Sequence, residues 1–137
     1  MGWVRRELDA IGVPPLKRLG QCFLVDKKVR DEIIEAAALS SDDTVVEIGP
    51  GLGFLTEQIA IRSGSVIAIE KDRVLAAYVS RKLASRNNLA ILEGDFLRIE
   101  LPPYTKIVSS PPYNISSKLI LRILRDRPKS AVLLLQD

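Results

Sequence analysis

Apolar and polar positions along this chain follow two periods that take turns. Val29, Ile33, Ile34 and Ala37 recur at helical spacing behind Asp26, a helix-capping residue, and predict a helix through about Leu39. Thr44–Ile48 is a short β-branched run and predicts a strand, followed by the glycine-rich turn Gly49–Gly53. Phe54, Leu55, Gln58, Ile59 and Arg62 return to the helical period until about Gly64. The alternation then repeats, with strands at Ser65–Ile69, Leu89–Leu92, Lys106–Ser109 and Ala131–Leu135. Helices are expected at Asp72–Ser85 and Ser116–Arg125, the second stopped before Pro128. Upstream, Val4–Ile11 predicts a short helix closed by Gly12 and Pro14-Pro15, and residues 16–25 read as a loop. Strands that are apolar throughout and separated by helices call for a doubly wound, mostly parallel α/β sheet covered on both faces. Residues 1–137 are expected to form a single domain that stops directly after the fifth strand, as the front part of a longer protein.

Composition removes several kinds of chemistry. The 137 residues include no histidine and one cysteine, Cys22. Histidine-based triads, histidine-ligated metals and an internal disulfide are therefore excluded, and a thiolate-rich zinc site is not expected. No apolar run approaches the ~18 residues that span a bilayer, and charge within the first nine residues does not fit a signal peptide. A cytoplasmic location is the default expectation. The net charge of +3 is unevenly placed, with seven basic and three acidic side chains in residues 1–30. A second basic group, Lys118, Arg122, Arg125, Arg127 and Lys129, lies near the other end. Two basic ends around a near-neutral middle could grip a polyanion, or could be solvated helix faces.

The chemistry-bearing residues stand where strands end. In open α/β sheets ligands bind beside the carboxyl ends of strands. Glu47-Ile48-Gly49-Pro50-Gly51-Leu52-Gly53 occupies the first such end. A dinucleotide fingerprint would need G-x-G-x-x-G, but Phe54 or Thr56 stands at the last glycine in either register. An acid, a spacer and three alternating glycines instead resemble the first motif of S-adenosylmethionine-dependent methyltransferases. Glu70 follows the second strand, where a carboxylate can accept both ribose hydroxyls. Gly94-Asp95-Phe96 ends the third, where Asp95 can accept from an adenine amine with Phe96 near the ring. Ser109-Ser110-Pro111-Pro112-Tyr113-Asn114 follows the fourth, a loop stiffened by two prolines. A side-chain oxygen and a loop carbonyl there could accept both N–H bonds of an exocyclic base amine. Its lone pair would then point at a methyl sulfonium, with Tyr113 stacked on the base and no histidine required.

Taken in order, Gln21-Cys22-Phe23-Leu24, Glu47–Gly53, Glu70, Gly94-Asp95 and Ser110–Tyr113 resemble the ribosomal RNA adenine dimethyltransferases, from about Leu16 to the last residue. The resemblance implies a Rossmann-like methyltransferase fold and S-adenosyl-L-methionine as cofactor. It implies dimethylation of two adjacent adenosines of small-subunit ribosomal RNA at the exocyclic amine, within ribosome biogenesis, without metal or membrane and as a monomer. By the same resemblance Cys22 and Leu24 line the methionine side of the cofactor. Gly49 and Gly51 meet its carboxylate end, Glu70 its ribose, and Asp95 and Phe96 its adenine. Ser110, the carbonyl of Pro111 and Tyr113 hold the target base, with Ser110 also bordering the cofactor. Cys22 stands where the family usually has Asn or His, and Ser110 where it usually has Asn. Serine at that place also occurs in amino-methyltransferases that act on cytosine, so adenine and cytosine both stay open as target. The family continues into further strands and a helical RNA-binding domain that this sequence does not contain. A non-catalytic RNA-binding assembly factor with the same fold is the alternative.

Overall fold

The structure, a computed structural model, describes residues 6–7, 9–10, 12, 26–109 and 117–134. Its regular elements follow the expected alternation: α1 (Lys27–Ala37), β1 (Thr44–Ile48), α2 (Phe54–Arg62), β2 (Ser65–Glu70), α3 (Arg73–Lys82), β3 (Leu89–Glu93), β4 (Lys106–Ser109), α4 (Ser117–Asp126) and β5 (Ser130–Leu133). β1 and β4 have the expected bounds at both ends, and the other elements end within three residues of theirs. Two helices begin where expected for a local reason. Asp26 accepts from the N–H groups of Lys28 and Val29, and Asp72 from those of Val74 and Leu75.

All four strand pairings are parallel, in the order β3-β2-β1-β4-β5. Strand order therefore reverses between β1 and β4, the place where open α/β sheets bind ligands. Alternate side chains of each strand serve opposite faces. Val45, Val66 and Val108 pack with Ile33, Ile34 and Ala37 of α1 and Leu55, Ile59 and Ala60 of α2. On the other face Val46, Ile69 and Ile107 pack with Phe96 and with Leu119 and Ile123 of α4. No helix lies between β3 and β4. The connecting loop covers that part of the sheet itself, through Phe96, Ile99, Leu101 and Tyr104.

Polar groups lock the amino edge of the sheet and the face beneath α4. At the amino edge, Asp43 pairs with Lys106 at 3.1 Å and accepts from the Thr105 hydroxyl at 2.8 Å. Lys106 also donates to the carbonyls of Ala37 and Ala38, which ties the end of α1 to the start of β4. Burial works against the Asp43 charge, but hydrogen bonds from Thr105, Ser40 and Lys106 outweigh it and hold its carboxyl below the usual value. Beneath α4, the Arg122 guanidinium lies 4.7 Å from the Phe96 ring centroid, donates to the carbonyls of Phe96 and Ile99, and pairs with Asp126. Tyr104 donates to the same Asp126 carboxylate at 2.7 Å. One basic residue of the C-terminal group is thus a core strut.

Candidate functional site

Register brings the chemistry-bearing strand ends into one row. Ile48 is level with Ile69 on one side and with Ser109 on the other, and Glu70 is level with Glu93. The Gly49 N–H donates to the Ile69 carbonyl and the Gly94 N–H to the Glu70 carbonyl, each at 2.9 Å, so the ladder runs right up to the loops. Gly49–Gly53, Glu70 and Gly94-Asp95 therefore stand at adjacent strand ends on the carboxyl edge. Ser109, the last residue of β4, is in the same row, and its hydroxyl donates to the Ile48 carbonyl at 2.6 Å.

The glycine loop has a separate use for each glycine. Gly49, Gly51 and Gly53 all have positive φ (72°, 58° and 83°), a region that side chains with a Cβ rarely adopt. A Cβ on Gly49 would meet nothing within 4 Å, so the loop is open there. A Cβ on Gly53 would come within 2.9 Å of Val79 Cγ2 and 3.3 Å of Leu83 Cδ1. The third glycine thus lets the start of α2 lie against α3.

Two carboxyl groups support this loop from beneath. Glu70, 5% exposed, accepts from the Gly51 N–H at 3.2 Å and from the Asp72 N–H at 2.9 Å. A carboxylate has about four lone-pair sites, so the group holds the loop without being used up. Burial raises its pKa, and the Asp72 and Gly51 N–H groups oppose the rise. Glu47, 1% exposed, shares a hydrogen bond with the Thr56 hydroxyl of α2. Burial pushes its carboxyl up to about 8; the Thr56 bond works against this and the Glu70 charge adds to it. Burial thus favours the protonated form of Glu47 near neutral pH. Thr56, whose side chain breaks the dinucleotide register, is its partner.

Asp95 is half-buried and its Oδ1 accepts from the Leu97 N–H at 2.9 Å, which shapes the turn after β3. Phe96, expected near the cofactor's adenine ring, follows on the same turn. Its side chain is 3% exposed and packs in the core against α4, beneath Arg122. The turn sends Asp95 to the edge and the next side chain inward. Cys22, Leu24, Ser110, Pro111 and Tyr113 lie outside the described residues, as does Ser116, the expected cap of α4. The Glu47–Thr56 pair and the bond from Lys82 Nζ to the Leu52 carbonyl at 2.9 Å were not expected as parts of the site. The signal for Glu47 was present: an acid in the middle of an apolar strand, on the same face as Val45.

Among the described residues no group of three or more side chains could hold a metal ion, and no helix is long and apolar enough to cross a membrane.

Comparison with known proteins adds the family. The model of the ribosomal RNA adenine dimethylase family matches residues 16–137. A probable ribosomal RNA small subunit methyltransferase A of Pyrococcus abyssi (strain GE5 / Orsay) is 41% identical over 129 residues, covering 94% of this chain and 48% of that protein. The ribosomal RNA small subunit methyltransferase A of Moorella thermoacetica is also 41% identical, over 90% of this chain and 48% of its own length. This chain thus spans about half the length of these relatives. Among solved structures, a dimethyladenosine transferase from Plasmodium falciparum superposes with a TM-score of 0.78 at 34% identity, covering 85% of this chain and 44% of that one. The 23S rRNA methyltransferase ErmE gives 0.77 at 36%, covering 84% and 48%.

Proposed function

We propose, for a chain that belongs to the ribosomal RNA adenine dimethylase family, that the full-length protein transfers methyl groups from S-adenosyl-L-methionine to exocyclic amines of adenosines in small-subunit ribosomal RNA. The observation that carries this reading is the row of strand ends at the switch point. Glycine loop, Glu70 and Gly94-Asp95 follow one another across β1, β2 and β3, with the end of β4 beside them.

The residues present suit this cofactor. The open space at Gly49 admits a ligand against the backbone. The buried Glu70 carboxylate has lone pairs left for ribose hydroxyls, and Asp95 stands one strand further on for the adenine amine. Gly51 is held to Glu70, so the groups assigned to the methionine end and the ribose are mechanically coupled. Cys22 and Leu24 complete the cofactor contacts by family resemblance. When bound, the cofactor supplies an electrophilic methyl group on a sulfonium. The chain's own part is to hold the acceptor amine: Ser110 and the Pro111 carbonyl take its two N–H bonds, and Tyr113 stacks on the base. The packing of Phe96 favours a supporting role, fixing the turn that presents Asp95. Residues 1–137 are read as one methyltransferase domain of a cytoplasmic, monomeric, metal-independent enzyme of ribosome biogenesis.

Tritiated methyl transfer by the full-length protein onto under-methylated small-subunit RNA or particles tests the proposal. Label on adenosine is expected; label on cytosine alone, or no label, defeats it. The second reading, an assembly factor without turnover, is favoured by Ser110 in place of the usual Asn. It predicts RNA binding with no label.

A further inference from the structure

The structure sorts the basic side chains by edge of the sheet. Arg122 is buried and paired. Arg127 and Lys129 lie at the amino edge, where the Lys129 N–H donates to the Thr105 carbonyl just before β4. Lys118 lies in the first turn of α4, the end of that helix that follows β4, and so stands at the carboxyl edge. The end of α1 is fixed to the amino edge by Lys106, and its 11 residues extend back by about 16 Å. A five-residue strand spans about the same length. Lys27 and Lys28 therefore also reach the carboxyl edge. The Arg30 guanidinium, 4.4 Å from the ring centroid of Phe54 directly after the glycine loop, confirms that placement.

These lysines share further features. Lys27, Lys28 and Lys118 are exposed, and among the described residues none has an acidic partner. They occupy opposite faces of the same part of the sheet, since α1 packs on β4 and β5 from one side and α4 covers the other. On the β2–β3 side the edge is different, because Lys71 and Arg73 stand there among Glu70, Asp72, Glu93 and Asp95. Charge order along α1 is a separate observation. Its first turn has no acid and its last turn no base, while Asp31, Glu32 and Glu35 follow the lysines. Even with the Asp26 cap carboxylate, Lys27 and Lys28 leave that end with a net charge of +1, which the helix dipole does not favour, whereas α2 carries Glu57 in its first turn and Arg62 in its last. Cations placed against local preference at a ligand-binding edge mark a functional demand.

We infer that Lys27 and Lys28 on one face and Lys118 on the other contact the phosphate backbone of the RNA on either side of the strand that delivers the target nucleotide to the end of β4. The inference deepens the proposed function and rests on it. An acidic β2–β3 side suits a cationic cofactor, and a basic β4–β5 side suits a polyanion, so one edge separates the two ligands by charge. Backbone contacts of this kind set affinity and orientation without reading sequence.

The test is filter binding of the full-length protein to under-methylated small-subunit RNA across a salt series. Each lost phosphate contact lowers the slope of log affinity against log salt by about 0.7–0.9. K27Q/K28Q/K118Q should lower it by about 2 to 3 and weaken binding at least tenfold, with S-adenosylmethionine affinity unchanged by calorimetry. R127Q/K129Q, at the opposite edge, should leave the slope as it is. An unchanged slope in the triple variant overturns the inference, and so does an equal fall in the amino-edge variant or a parallel loss of cofactor affinity. Wild-type protein that binds no RNA at any salt would instead sink the functional reading itself.

Discussion

Replacing Glu47 by Gln separates a buried neutral acid from a buried charge. Glu47 is 1% exposed and its carboxyl titrates at about 8 in the fold, against 4.5 for an ordinary glutamate. Between those two values the folded state holds a proton that the unfolded state has released. Stability therefore falls as pH rises, by about 1.4 kcal/mol per pH unit. The whole interval from 4.5 to about 8 sets a ceiling of about 5 kcal/mol, of which about 2 kcal/mol falls between pH 6 and 8. The chain has no histidine, so the group that most often titrates in that window is missing. Glu47→Gln keeps an acceptor for the Thr56 hydroxyl but brings an extra N–H, at a cost of about 1 kcal/mol. Urea unfolding of both proteins from pH 4 to 9 should give curves that cross near pH 5, the variant being slightly weaker at pH 4 and clearly stronger at pH 9. Parallel curves, or wild-type stability that rises from pH 6 to 8, would refute a protonated Glu47.

Lys106→Met should lower stability by about 2–3 kcal/mol, since it strips a charged hydrogen bond from Asp43 and two cap bonds from the end of α1. Thermal melts at neutral pH check this. The pH dependence has a second sign at the acid end. Asp43 and Asp126 both titrate below their ordinary values in the fold, so their stabilisation is present above pH 3.8 and disappears as pH falls through the lowered values. An unfolding series from pH 5 down to 2 should show that loss. Gly53→Ala should destabilise more than Gly49→Ala, because both strain a positive φ but only Gly53 drives a methyl group into Val79 and Leu83. Equal loss in urea would show that the start of α2 does not lie closely against α3. Glu70→Ala should weaken S-adenosylmethionine binding at least tenfold, about 1.4 kcal/mol, as read by calorimetry; unchanged affinity would remove Glu70 from the cofactor site.

Element order was legible because it follows from local chemistry. The β-branched run Thr44–Ile48, the caps Asp26 and Asp72 and the glycines after β1 act within a few residues of themselves, and the structure has each where its period and capping chemistry put it. The row of strand ends was legible too. Parallel strands joined by crossovers must all finish at one edge, so an acid or glycine after each strand arrives beside its neighbours. The bounds of β2 and β3 ran one residue longer than expected because Glu70 and Glu93 still pair across the ladder, which strand periodicity does not show.

What depended on distance in space was decided by the tertiary structure. Residue order does not reveal that Phe96 turns into the core beneath Arg122, because that contact needs α4 brought back over the sheet. Nor does it reveal that Glu47 keeps its proton, because desolvation depends on every atom that α2 and β2 pack around it. The basic residues near the two ends looked alike as a list of charges. Folding made Arg122 a strut and sent Lys129 to the amino edge, while Lys27, Lys28 and Lys118 came to the edge where the glycine loop lies. The sequence by itself determined which elements form, in which order, and at which strand ends the chemistry stands, since those are short-range properties of the chain. The packed sheet alone decided which charges are buried, neutralised or left facing a ligand, since a charge's free energy is set by all that surrounds it and not by its neighbours along the chain.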